Sequence, residues 1–142
     1  KIDYANMLKV FQINSIGPAL LIKNFYKHLS SESKSVFVNL SARVGSISDN
    51  RLGGWISYRS SKSALNQIIK TSSIEISRNL PLSILVAIHP GTVRTNFSNK
   101  FIKNKDASSP LNASQQIIKT CENLNVSDTG KFFSYNGEHI EW

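Results

Sequence analysis

The chain has 142 residues, 17 Lys and Arg against 9 Asp and Glu, and a single cysteine, Cys121. That length suits one domain with a real core. A 40% hydrophobic and 18% charged composition excludes a disordered tail, and no apolar run approaches the ~20 residues of a membrane span. One cysteine excludes an intrachain disulfide and fits a reducing, cytoplasmic setting. The net charge of +8 is scattered; its densest basic stretch is Arg94, Lys100, Lys103 and Lys105, ahead of Asp106. No zinc-finger spacing, basic zipper helix or RNA-binding aromatic signature accompanies it. It therefore reads as solvated surface charge, compatible with a phosphorylated cofactor and not with nucleic-acid or membrane binding.

Asp3 to Leu29 has mostly apolar residues at three- and four-residue spacing, from Met7 and Phe11 to Ile22 and Phe25, and is expected to be a helix. Gly17-Pro18 interrupts it. Proline removes a helix hydrogen bond and crowds the carbonyl four residues earlier, so a kink is expected near Asn14. Ser35 to Leu40 is a β-branched and aromatic run and reads as a strand. Ser41 to Ile56, with three glycines, reads as a loop. Tyr58 to Arg78 is the second helix, with Leu65, Ile69, Ser72 and Ile76 near one stripe, and Asn79-Leu80-Pro81 breaks it. Leu82 to Ile88 is nearly continuous hydrocarbon, a strand buried on both faces. After the His89-Pro90-Gly91 turn, Thr92 to Ser108 reads as a loop. Ser109-Pro110 reads as a cap and first turn of a third helix, with Leu111, Ile117, Ile118 and Leu124 apolar. Phe132 to Tyr135 is the last strand, followed by a short tail to Trp142.

The order α-β-α-β-α-β indicates an α/β domain with a parallel sheet. The expected unit is one partial domain over residues 1–142, with a substrate loop at about 94–110. If Ser35 to Leu40 is an interior strand, one of its edges needs a neighbour from elsewhere.

Tyr58 and Lys62 lie four apart on a helix and share a face. A phenol has a reference pKa near 10; lowering it by ~3 units favours the phenolate by roughly 4 kcal/mol. A nearby ammonium does this by attraction, and the phenol then serves as general acid/base toward an alcohol or carbonyl. The spacing alone is weak, because both residue types are common here. Its context is stronger. One strand ends in Asn39-Leu40-Ser41-Ala42-Arg43-Val44-Gly45-Ser46, and the next in Pro90-Gly91-Thr92-Val93-Arg94-Thr95. Ligands of open α/β sheets bind outside the carboxyl ends of strands, so both ends and the Tyr58 helix are expected to converge.

The stretches NLSARVGSISDNRLGGWISYRSSKSALN, HPGTVRT and GKFFSYNGEHIEW resemble the C-terminal part of a short-chain dehydrogenase/reductase, in its C-factor/sniffer-like carbonyl reductase branch. The resemblance covers nearly the whole chain. It implies the C-terminal portion of a Rossmann-type doubly wound sheet and an NAD(P)-dependent oxidoreductase acting on carbonyls or alcohols, with NADP or NAD as cofactor. Tyr58 matches the catalytic acid/base. Lys62 matches the lysine that lowers its pKa and holds the nicotinamide ribose. Asn14 matches the helix asparagine that relays protons through a kinked backbone. Pro90, Gly91, Val93 and Thr95 match the turn that contacts the nicotinamide carboxamide.

Two departures stand out. Where the family carries its second, substrate-orienting serine, this chain has Ala42; Ser46 is the preferred substitute and Ser41 the second, each with loop or capping duty as the alternative. The Gly-rich turn that cradles the pyrophosphate is absent. About three βα units, at roughly 30 residues each, are expected to precede Lys1. The 142-residue chain alone is expected to be inactive. The branch also admits a non-catalytic reading, a signalling or interaction protein on the same scaffold. Family members commonly dimerise through the two long helices, both present here. Trp55 and Phe97 are candidate apolar walls of the substrate site, with plain packing as the alternative.

Overall fold

The structure, a computed structural model, describes residues 2–96, 98 and 107–142. Phe97, Lys100, Lys103, Lys105 and Asp106, with most of the expected substrate loop, lie outside the described residues.

The first helical rod is three segments. Helix α1 is Tyr4–Phe11, capped by Asp3, whose carboxylate accepts from the Asn6 amide at 2.8 Å. Gln12–Ile16 is a π-helical turn, and α2 is Gly17–Phe25, closed by a 3-10 turn at Tyr26–His28. The expected kink at Asn14 takes the form of this wider turn. Pro18 has no N–H to serve the carbonyl four residues back, which is Asn14's. The Gly17 N–H instead reaches Gln12 O, five residues back, and a Cβ on Gly17 would sit 3.3 Å from that oxygen.

Strand β1 is Ser35–Leu40, helix α3 Ile56–Ser77, strand β2 Ser83–His89 and helix α4 Pro110–Asn123. Ser109 caps α4 through its hydroxyl, with Pro110 in the first turn. Strand β3 is Phe132–Ser134 and β4 His139–Ile140. The sheet order is β1-β2-β3-β4; the first three are parallel and β4 is antiparallel to β3. The expected three-strand parallel sheet thus gains a fourth strand. The tail turns back at Gly137, which has φ +86, and Trp142 stacks on Phe132 at 5.5 Å between ring centroids. Among the described residues β1 is paired on one side only.

Ser83 to Ile88 are all buried, because β2 is covered on both faces. Leu85 and Ala87 pack with Leu65, Ile69 and Ile76 of α3 and with Phe132. Ile84, Val86 and Ile88 pack with Leu124 and Phe133, backed by Ile117 and Cys121 on the α4 side. Of the apolar residues read on α4, Leu111 and Ile118 are exposed, while Ala113 and Thr120 are buried. On α3 the stripe takes Ser73 rather than Ser72, and Gly130 leaves room for it: a Cβ on that glycine would meet the Ser73 hydroxyl at once.

Candidate active site

The N-terminal half of α3 is pressed against the loop that follows β1, and the contact depends on a missing side chain. A Cβ on Gly45 would lie 2.8 Å from the Lys62 Cβ and 2.9 Å from its carbonyl carbon. This closeness lets three groups of α3 use that loop's backbone. Ser63 donates its hydroxyl to Gly45 O at 2.8 Å, and Asn66 donates Nδ2 to the same oxygen at 3.2 Å. Lys62 donates Nζ to Leu40 O, the last carbonyl of β1, at 2.9 Å.

The π-helical turn meets α3 one helical turn past Tyr58. Asn14 donates Nδ2 to the Ser61 hydroxyl at 3.1 Å, and that hydroxyl donates to Tyr58 O at 2.8 Å. Ser15 donates its hydroxyl to Ser61 O, also at 2.8 Å. Ser61 is fully buried and joins Asn14 to the Tyr58 backbone. Ser61 and Asn66 were missed in the sequence. Their signal was polarity on the inward stripe of a helix, where a buried hydroxyl or amide must have partners.

Tyr58 is 40% exposed. Burial pushes its phenol up from its ordinary value and pushes Lys62 down. The cause in both is desolvation, which penalises the charged form of each group.

The two serine candidates are both occupied. Ser46 is 2% exposed; its hydroxyl donates to Glu141 O at 2.5 Å, lies 3.2 Å from the Ser48 hydroxyl and accepts from Asp49 N at 3.1 Å. It ties the loop to the C-terminal tail. Ser41 is buried and donates to Asn66 Oδ1 at 2.6 Å. Ala42, beside Ser41, is itself buried and has no hydroxyl.

Pro90 and Gly91 follow β2. Gly91 has φ +76, and a Cβ on it would come within 2.7 Å of the Tyr135 ring. Only glycine fits this left-handed position and close approach. Val93 bridges to Ser108 in parallel, with the Arg94 N–H on Ser108 O at 2.9 Å. Thr95 exchanges hydrogen bonds with Ser98. The glycine at this turn thus makes room for the chain's own Tyr135 ring. Nothing in the chain resembles the pyrophosphate-binding turn.

A cleft of about 300 Å³ opens beside the turn, lined by Arg43, His89, Gly91, Thr92, Ser134 and Tyr135. Burial, aided by Arg43, brings the His89 pKa down to about 4, and its Nδ1 has no hydrogen-bond partner among the described residues. Among the described residues no group of three or more His, Cys, Asp or Glu is arranged to hold a metal ion, and no helix is long and apolar enough to cross a membrane.

The family model for short chain dehydrogenases matches residues 1–106. The C-signal protein of Myxococcus xanthus is 30% identical over 142 residues, covering 99% of this chain and 81% of that protein. The NADPH-bound carbonyl reductase from chicken fatty liver superposes with a TM-score of 0.88 at 29% identity, and the carbonyl reductase Sniffer of D. melanogaster with 0.84 at 27%. Each covers 99% of this chain, which spans 59% of either structure. The chain belongs to the short-chain dehydrogenase family.

Proposed function

We propose that this family member is the catalytic part of an NAD(P)-dependent carbonyl reductase or alcohol dehydrogenase, one partial domain of a larger Rossmann unit. The observation that carries this reading is geometric: on α3 Lys62 stands one turn past Tyr58, and Asn14 is linked to the Tyr58 backbone through Ser61. When bound, the nicotinamide supplies hydride to a carbonyl carbon or accepts it from an alcohol. In reduction Tyr58 Oη gives its proton to the carbonyl oxygen. Lys62 favours the resulting phenolate by charge and holds the cofactor ribose, and Asn14 relays the replacement proton. The carbonyl of Asn14 suits that relay, since Pro18 offers it no helical N–H. Pro90, Gly91, Val93 and Thr95 seat the carboxamide. Either NADP or NAD fits this part of the site. With Ala42 in the serine position and both nearby serines occupied, Tyr58 is left to orient the substrate oxygen largely by itself.

The exposed Ile13, Ile16 and Leu20, at three- and four-residue spacing, favour a homodimer through the two long helical rods. The single cysteine suits the cytoplasm.

The test is Tyr58→Phe in the natural full-length protein. Turnover of a ketone with NADPH or NADH is expected to fall by about 10²-fold or more, with cofactor binding and circular dichroism unchanged. Undiminished turnover overturns the reading. Ala42 and the likeness to C-signal favour a second one, a non-catalytic signalling protein on this scaffold. It predicts no turnover in the wild type and no loss of its signal in Tyr58→Phe.

A further inference from the structure

The loop between β1 and α3 carries Gly45 against Lys62, yet little hydrocarbon holds it in place. Its large apolar side chains Ile47, Leu52 and Trp55 are all exposed. Hydrogen bonds fix it from two sides instead. On the α3 side Ser63 and Asn66 hold Gly45 O, and Arg59 holds the carbonyls of Val44, Gly53 and Gly54. On the other side stands the C-terminal segment. Ser46 donates to Glu141 O at 2.5 Å and accepts from Asp49 N at 3.1 Å. Ser48 brings its hydroxyl and its backbone N–H to Trp142 O, at 3.1 and 3.2 Å. Both accepting carbonyls are rooted in the core. Ile140 is buried in its pairing with Phe132, and the Trp142 ring stacks on the same Phe132, which has no exposure. Apolar burial thus fixes this segment, and directional hydrogen bonds pass that fixity to Ser46, the neighbour of Gly45. With room for no Cβ between Gly45 and Lys62, a shift of Gly45 either presses on Lys62 or opens a gap beside it.

We propose that Ser46 and Trp142 are positioning residues for Lys62: the C-terminal segment is the fixed post against which the loop after β1 is set, and Ser46 is its main attachment. This rests on Lys62 acting with Tyr58 as described under the proposed function. It gives the buried Ser46 hydroxyl a role other than contact with substrate. A loop hung from α3 alone would follow the movements of that helix. Tied also to the sheet through Phe132, it holds Lys62 from a second, independent support.

The experiment measures reduction of diacetyl with NADPH or NADH in the natural full-length protein. Ser46→Ala and Trp142→Ala are each expected to lower kcat about tenfold, with KM for diacetyl held within about twofold. Trp142→Phe, which keeps a ring on Phe132, is expected to recover most of the loss. Thr120→Ala removes a comparable buried hydroxyl, one that donates to Tyr135 O at 2.8 Å from α4, and is expected to leave kcat near wild type. Should Ser46→Ala fail to fold, Ser48→Ala at an exposed site makes the same cut more gently, with about a threefold loss of kcat expected. Unchanged kcat, an equal loss in Thr120→Ala, or a loss carried by KM overturns the proposal. If the wild type does not reduce diacetyl, that result bears on the proposed function and not on the post. Hydrogen exchange then decides the post by itself. The Gly45 amide, bonded to Ala42 O at 2.8 Å, is expected to exchange about tenfold faster in Ser46→Ala and Trp142→Ala, and an unchanged rate overturns it.

Discussion

From Ile56 to Asn66, α3 meets its neighbours mainly through hydroxyls and amides; from Ile69 to Ile76 it meets them mainly through hydrocarbon. In the first half Ser61, Lys62, Ser63 and Asn66 bond to the π-helical turn, to β1 and to the loop after it, with Leu65 the main apolar exception. In the second half Ile69 and Ile76 enter the cluster built on Leu85, Ala87 and Phe132. Hydrocarbon burial is non-directional and scales with area, so it holds the helix down without setting its rotation. Hydrogen bonds weaken steeply off-angle, so the polar half sets where Tyr58 and Lys62 point. Stability and geometry are thus carried by successive stretches of one helix.

The separation can be broken from either side. Ile69→Ala, at a site with no exposure, is expected to cost about 2–5 kcal/mol in urea unfolding and to leave turnover of the folded fraction near wild type. Gly45→Ala is the converse. Its Cβ collides with Lys62 and the α3 backbone, costing about 1–3 kcal/mol but displacing Lys62, so turnover is expected to fall more than stability does. A variant with full turnover would show that the close approach does not position Lys62.

His89 sharpens the comparison through pH. Its folded pKa of about 4 lies below the ordinary 6.5, so between these values the unfolded chain binds the proton that the folded one refuses. Its contribution is complete above about pH 6.5 and is lost as pH falls toward 4. Allowing for solvent screening, this amounts to about 1–2 kcal/mol. Unfolding free energies at pH 4.5 and 7.5 should therefore differ less in His89→Phe than in wild type. The smallest effect is expected at Ser61→Ala, about 1 kcal/mol, since the Asn14 amide it leaves is only part-buried. If Asn14 relays protons from a fixed position, kcat should fall while KM holds.

Much of the fold was legible because its signals are local. The run from Leu82 to Ile88, the Ser109-Pro110 helix start and the Gly17-Pro18 interruption each act through backbone chemistry within a few residues. The pairing of Tyr58 with Lys62 on one face, and the glycine at position 91, were legible for the same reason. Strand β4 was not: two residues carry no periodicity, and the turn at Gly137 becomes a hairpin only when Ile140 finds Phe132. Which apolar residues of α4 are buried was not legible either: Ile117 packs toward β2 while Leu111 and Ile118 stay exposed.

The sequence by itself determined the order of the main helices and first three strands and the family, because these depend on residue type and short-range spacing. Tertiary structure alone decided the states of the site residues. Ser46 and Ser41 are committed to Glu141 and Asn66, partners 95 and 25 residues away. Burial of the Tyr58 phenol raises its pKa, and Lys62 is bonded to Leu40, 22 residues away. Hydrogen-bond partners and local dielectric are properties of what folding brings together, and spacing along the chain does not encode them.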